Sequence, residues 1–284
     1  MMTEAAAKLQ VGKRLGSDLT VLGIVDDHGD EPVYLVWHHK SWCPMLCKVL
    51  QSREAAQREA DILLALAHPN IVRCFGVNGS TYLLMEYLEG PSLYQLVKSR
   101  PKHQLGVNDA LRLAIYVGAA LSHVHDGGLL HLDVKPANIV VVNGRPVLCD
   151  FGVARWQAAS RPTGVRGTEG YVAPEECLLS EITPAADVFG LGVTLYELLT
   201  GHMPFPKKAD GEPYPQISRP ASSVREHRAT VPVRLEKLVL SCLSRDPKAR
   251  PTLPTLLPSL HHFISSGPPM WPTGFDPKIQ TDEC

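Results

Sequence analysis

The segment HLDVKPANIVVVNGRPVLCDFG, which begins at His131, restricts the possible folds more than any other part of the chain. Its runs IVVV and RPVLC each suit a short buried strand, and Asn143-Gly144 between them is a two-residue hairpin signal. Asp133 and Asn138 then lie in the loop entering the hairpin and Asp150 in the loop leaving it. Their intervals are too irregular for one helix face, but a chain folded back on itself can bring these oxygen-bearing side chains to one point. Convergent hard oxygens suit Mg²⁺.

A chain of 284 residues exceeds the usual size of a single hydrophobic core, so one large domain or two closely packed lobes is expected. The formal net charge of -1 gives no support to nonspecific nucleic-acid or membrane-surface binding, which would show as a basic excess. No apolar run reaches the roughly 18 residues of a membrane span, and MMTEAAAKLQ lacks the basic-then-apolar pattern of a secretory signal. The expectation is a soluble, cytoplasmic protein with no nucleic-acid partner and no membrane insertion. Seven cysteines without a CxxC pair fit reduced thiols better than a disulfide framework. Cys43 and Cys47 near His38 and His39 could be imagined as a metal site, as could His123, His125 and His131; a hairpin and a helix end followed by a buried loop histidine are the plainer accounts.

LTVLGIVDD, PVYLVWHH and WCPMLCKVL read as strands of an antiparallel meander, separated by polar or Gly/Pro punctuation. SREAAQREADILLALA has helical spacing and stops at His68-Pro69-Asn70, after which IVRCFGV and STYLLMEYL resume the strand pattern. VNDALRLAIYVGAALSHVHDGG predicts a long core helix, with Asn108 or Asp109 near its start and Gly127-Gly128 at its end. PAADVFGLGVTLYELLTG predicts another, stopped by Gly201, and VRLEKLVLSCLS and LPTLLPSLHHFI follow. Residues 205–232 are Pro-rich without periodicity, and GPPMWPTGFDPKIQTDEC reads as a loosely attached tail.

HLDVKPAN, CDFG, VAPEE, ADVFGLGVTLYELLTG and DPKARPT, in this order and spacing over roughly residues 15 to 265, resemble the eukaryotic-type Ser/Thr protein kinase catalytic domain. The resemblance implies a bilobal α+β fold: a β-rich nucleotide-binding lobe with one helix over 1–86, a larger helical catalytic and substrate lobe over 87–266, and the Pro-rich tail over 267–284. It implies transfer of the ATP γ-phosphate to Ser/Thr hydroxyls of a protein substrate, with ATP and Mg²⁺ as cofactors. By position, Asp133 matches the catalytic aspartate, Lys135 the residue that neutralises the transferring phosphoryl, and Asn138 and Asp150 the metal ligands. Lys48 matches the lysine holding the α and β phosphates, and Glu59 its ion-pair partner. Met85, Glu86 and Leu88 match the gatekeeper and the adenine-binding hinge, while Val33, Leu46 and Val140 complete the nucleotide pocket. Glu175 and Arg250 match a buried scaffold pair, Asp187 the helix aspartate under the catalytic loop, and Thr168 a residue that bonds that loop. Asp133 and Asp150 are both expected to face a solvent-accessible cleft and to serve chemistry more than packing.

Three features depart from the pattern. The glycine-rich phosphate loop is missing: either DDHGDE precedes Val33, with Asp26, Asp27, Asp30 and Glu31 where glycine amides should approach phosphate, or the loop begins at Gly16 with Asp18 and Val21 in glycine places. Kinase function would require those acids to point into solvent or to be offset by Mg²⁺. Leu46 replaces the usual alanine and should crowd adenine. Leu132 replaces the arginine that would pair with an activation-loop phosphate, so modification of Ser160 or Thr163 should matter little. The rival readings are a pseudokinase that acts as a binding module and, further off, a small-molecule kinase; an intact set of Lys48, Glu59, Asp133, Asn138 and Asp150 argues for chemistry.

Overall fold

The computed structural model describes residues 9–27, 30–159, 164–206 and 213–264. The 267–284 tail, Ser160 and Thr163 lie outside them. The chain divides into two compact units, Met1–Ala67 with Val72–Glu89, and His68–Ile71 with Gly90–Cys284. The first is a β-sheet unit with one helix and the second is mainly helical, an α+β fold.

In the first unit, β1 (Arg14–Leu15), β2 (Leu19–Asp26), β3 (Val33–His38) and β4 (Cys43–Val49) form the antiparallel meander. Helix α1 (Arg53–Leu64) follows, and β5 (Cys74–Asn78) and β6 (Tyr82–Glu86) complete a six-stranded sheet of order β1-β2-β3-β4-β6-β5. Strand side chains alternate between faces, and cross-strand partners share one. Tyr34, Val36, Met45, Cys47, Val49 and Leu84 therefore pack with Leu9, Leu15, Leu19 and Val21 into one core. The opposite face carries Val33 and Leu35 beside Lys48 and Leu46, which pair in turn with Leu83 and Met85. Ser52 caps α1, its hydroxyl accepting from Ala55 N, and Ala56, Glu59, Ala60, Ile62 and Leu63 form the buried stripe of that helix.

The second unit begins its helices with α2 (Leu93–Lys98) and α3 (Val107–Asp126). Asn108 and Asp109 lie at the start of α3 as expected: Gly106 is the N-cap, and Asp109 is buried within the first turn, where the helix dipole favours an acid. Short β7 (Leu129–Leu130) leads to β8 (Ile139–Val142) and β9 (Arg145–Leu148), an antiparallel hairpin whose turn residues Asn143 and Gly144 both have positive φ, 48° and 77°. This is the primed geometry that matches strand twist. β10 (Arg155–Trp156) pairs with β7, and α4 (Pro174–Cys177) follows. Helix α5 (Ala185–Thr200) is buried from Ala186 to Thr200, as a helix with apolar residues on every side must be, and ends at left-handed Gly201. It packs on α3, and α6 (Val224–His227), α7 (Val233–Cys242) and α8 (Leu253–His261) surround these two. Between Phe205 and Pro232 the described residues contain only the single turn of α6 and a three-residue 3₁₀ turn at Pro215–Ile217.

Candidate active site

The second unit gathers Asp133, Lys135, Asn138 and Thr168 around one carboxylate. Asp133 is only 6% exposed. Its Oδ1 accepts from Thr168 N at 2.9 Å, and its Oδ2 accepts from Lys135 Nζ at 2.6 Å and Asn138 Nδ2 at 2.8 Å. Lys135 Nζ also donates to Thr168 Oγ1. The expectation of an accessible Asp133 is corrected: the carboxylate is immobilised inside a hydrogen-bond network, because the loop and the Thr168 segment close over it. Asp150 is exposed and has φ 58°, with Oδ1 near Gly152 N at 3.3 Å.

The loop is held from below by Asp187 in the first turn of α5. Its Oδ1 accepts from Leu132 N at 2.7 Å, while Oδ2 accepts from His131 N at 2.9 Å and meets His125 Nε2 at 2.8 Å. Burial acts to raise the Asp187 pKa, but the His125 hydrogen bond, the nearby histidine charges and the backbone donor hold it below the ordinary value. His131 is buried, with Nε2 against Cys149 O at 3.1 Å and its ring edge-on to Phe151. His125 and His131 thus serve the loop, and among the described residues no group of three or more His, Cys, Asp or Glu could hold a metal ion. Leu132 is buried at φ 66°, its side chain in the place where a charged residue would need a partner.

The donor set suits a hard cation that takes its remaining ligands from phosphate and water. Asn138 Nδ2 donates to both Asp133 Oδ2 and Asp133 O, which turns Asn138 Oδ1 the other way as an acceptor. Cys149 N donates to Asn138 O at 2.8 Å, tying the residue before Asp150 to Asn138. A neutral amide oxygen and one carboxylate fit Mg²⁺, which keeps several non-protein ligands. Val140 lies on β8 opposite Val147, bridging to Ser92.

The first unit holds a buried lysine–glutamate pair of its own. Lys48 is 6% exposed, and its Nζ lies 3.0 and 3.2 Å from the two carboxylate oxygens of Glu59, which is 1% exposed. Val33, Leu46 and Met85 share the Lys48 face of the sheet, whereas Glu86 pairs with Met45 and Leu88 is buried just beyond β6. The register decides which turn neighbours Lys48. Val33 is its direct partner, so the acidic turn before Val33 adjoins it, while Gly16 lies in the β1–β2 turn at the other end of β2. Of the acids expected to face solvent or to be offset by Mg²⁺, Glu31 instead meets a protein cation, its Oε2 lying 3.0 Å from Lys48 Nζ. Glu31 is the residue that sequence reasoning missed as a partner. The signal was strand alternation: Glu31 is two before Val33 and so falls on the lysine's face.

The Glu175–Arg250 pair is a buried fork, Nη1 to Oε1 and Nη2 to Oε2 both 2.7 Å, with Arg250 also donating to Ser244 O and Ala185 O. Tyr171 donates its hydroxyl to Glu197 on α5. Burial pushes the thiols of Cys47, Cys177 and Cys242 up to about 12, so these are packing residues.

Over residues 32–263 the chain matches the protein kinase domain family. It is 29% identical over 258 residues to the serine/threonine-protein kinase PrkC of Bacillus subtilis, covering 84% of this chain and 39% of that protein. To the serine/threonine-protein kinase PkaA of Streptomyces coelicolor it is 35% identical over 209 residues, 70% of this chain and 38% of that one. The chain therefore spans well under two thirds of the length of these relatives. Among solved structures, a point-mutant form of the Mycobacterium tuberculosis PknI kinase domain superposes with a TM-score of 0.72 at 26% identity, covering 90% of this chain and 98% of that one. The chain belongs to the protein kinase domain family.

Proposed function

We propose that this chain is a Ser/Thr protein kinase that transfers the γ-phosphoryl group of ATP, with Mg²⁺, to a protein hydroxyl. The observation that carries the reading is the Asp133 network: a carboxylate held by Thr168 N, Lys135 and Asn138 is oriented before any substrate arrives. Asp133 accepts the proton of the attacking hydroxyl, and Lys135 neutralises charge building on the transferring group. Asn138 and Asp150 would hold Mg²⁺, which would supply charge neutralisation at the phosphates. Lys48, kept in place by Glu59, holds the α and β phosphates, with Val33, Leu46, Val140, Met85, Glu86 and Leu88 around the base. The free thiols among the described residues, buried or partly buried, support a reducing cytoplasmic setting. No described helix is long and apolar enough to cross a membrane.

The test is phosphotransfer from γ-labelled ATP to a generic protein substrate, followed by identification of the labelled amino acid. Label on serine or threonine, lost in Asp133→Asn and on chelation of Mg²⁺, is expected. Absence of transfer, or transfer that survives Asp133→Asn, overturns the assignment and leaves a binding module with the same fold.

A further inference from the structure

Lys48 has two carboxylate partners where the proposed reaction needs one. Nζ lies 3.0 Å from Glu59 Oε2 and 3.0 Å from Glu31 Oε2. The two partners are unequal. Glu59 belongs to the buried stripe of α1, whereas the Glu31 side chain is 37% exposed and stands in the turn before β3. Losing Glu59 would leave a buried ammonium poorly compensated; losing Glu31 leaves Lys48 with Glu59 intact. Glu31 is thus the partner that can be exchanged.

Its position follows from the sheet. Val49 N donates to Pro32 O at 3.0 Å, so β3–β4 pairing extends as far as Pro32, and alternation places Glu31 with Val33 on the face that carries Lys48. A phosphate arriving at Lys48 would meet an ammonium already matched by at least two carboxylates. Either that anion leaves or the phosphate is repelled.

We propose that Glu31 is an intrachain competitor of the nucleotide at Lys48: ATP binds by anion exchange, its phosphate taking the side of the ammonium that the Glu31 carboxylate holds and releasing Glu31 to solvent. Glu31 thereby sets nucleotide affinity through the phosphates and not through the base. This rests on the reading of Lys48 as the phosphate-holding lysine.

The experiment is calorimetric titration of wild type, Glu31→Gln, Glu31→Ala and Asp30→Asn with ATP in Mg²⁺ and separately with adenosine, after thermal melting has shown each variant to be folded. Asp30 is exposed in the same turn, so its variant removes equal charge without touching the pair. Both Glu31 variants should bind ATP about threefold to fivefold more tightly, the scale of a partly exposed ion pair. Adenosine affinity should be unchanged in all four proteins, and Asp30→Asn should bind ATP like wild type. Equal ATP affinity in wild type and the Glu31 variants overturns the proposal. So does equal tightening by Asp30→Asn, which would show general repulsion, or tightening toward adenosine, which would show relief of steric crowding. If the Glu31 variants bind adenosine but not ATP, the competitor role falls and the nucleotide pocket stands; if they bind neither, both readings fall.

Discussion

Asp133 and Asp150 look alike in the sequence, two acids flanking one hairpin, yet their surroundings demand different responses to mutation. Removing the Asp133 carboxylate takes the acceptor from Thr168 N and one of the acceptors from each of Asn138 Nδ2 and Lys135 Nζ, so Asp133→Ala should abolish phosphotransfer and also cost about 1–3 kcal/mol of stability. Asp150 is exposed, and Asp150→Asn should abolish transfer while melting like wild type. Paired melting curves and transfer assays check the contrast. Glu176 offers a pH test independent of catalysis. Burial pushes its carboxyl up to about 8, against the hydrogen bond from Ala173 N, compared with an ordinary 4.5. Between those values the folded chain binds a proton that the unfolded chain has released, so stability declines as pH rises through this window. Glu176→Gln, neutral throughout, should match wild type near the acid end and be the more stable protein above the folded-state pKa. Denaturant titrations at several pH values measure this, and parallel pH profiles would refute it.

At the scale of elements, the β8–β9 hairpin sets how the chain returns from Asn138 to Asp150. Gly144 at φ 77° closes its turn, and Gly144→Ala should cost about 1 kcal/mol through left-handed strain. Because Cys149 N is bonded to Asn138 O, a frayed hairpin should also raise the Mg²⁺ concentration needed for half-maximal transfer. The activation segment gives a second prediction. Leu132 is buried and apolar, and its backbone N–H is held by Asp187, so the loop is positioned without a phosphate. Ser160→Ala and Thr163→Ala should leave transfer rates nearly unchanged. A large rate increase on phosphorylating either residue would show that another cation, such as Arg155 or Arg166, takes the arginine's place.

Across the whole molecule, Arg250 links α4 to the start of α5 and the segment before α8 through its fork to Glu175 and its bonds to Ala185 O and Ser244 O. Arg250→Ala leaves the Glu175 carboxylate buried without its partner and should destabilise the chain by about 3–5 kcal/mol, readable as a large fall in Tm. Much of the architecture was legible because period and punctuation act locally. The Asn143-Gly144 turn, the Ser52-led α1, the largely apolar α5 and, among the described residues between Phe205 and Pro232, no helix longer than the single turn of α6 each follow from short-range patterns. The catalytic motifs likewise announced which residue types the chain brings to its hairpin. What the sequence could not supply was orientation toward partners distant along the chain. Whether Asp133 is open or enclosed depends on Thr168, 35 residues away, and whether the acidic turn or Gly16 adjoins Lys48 depends on the β3–β4 register. The sequence by itself determined the strand and helix patterns and the oxygen and lysine inventory, because these are set by local periodicity and side-chain chemistry. Only the tertiary structure decided that Asp133 is locked in place and that Glu31 stands against Lys48, because pairing register and burial are properties of the packed chain.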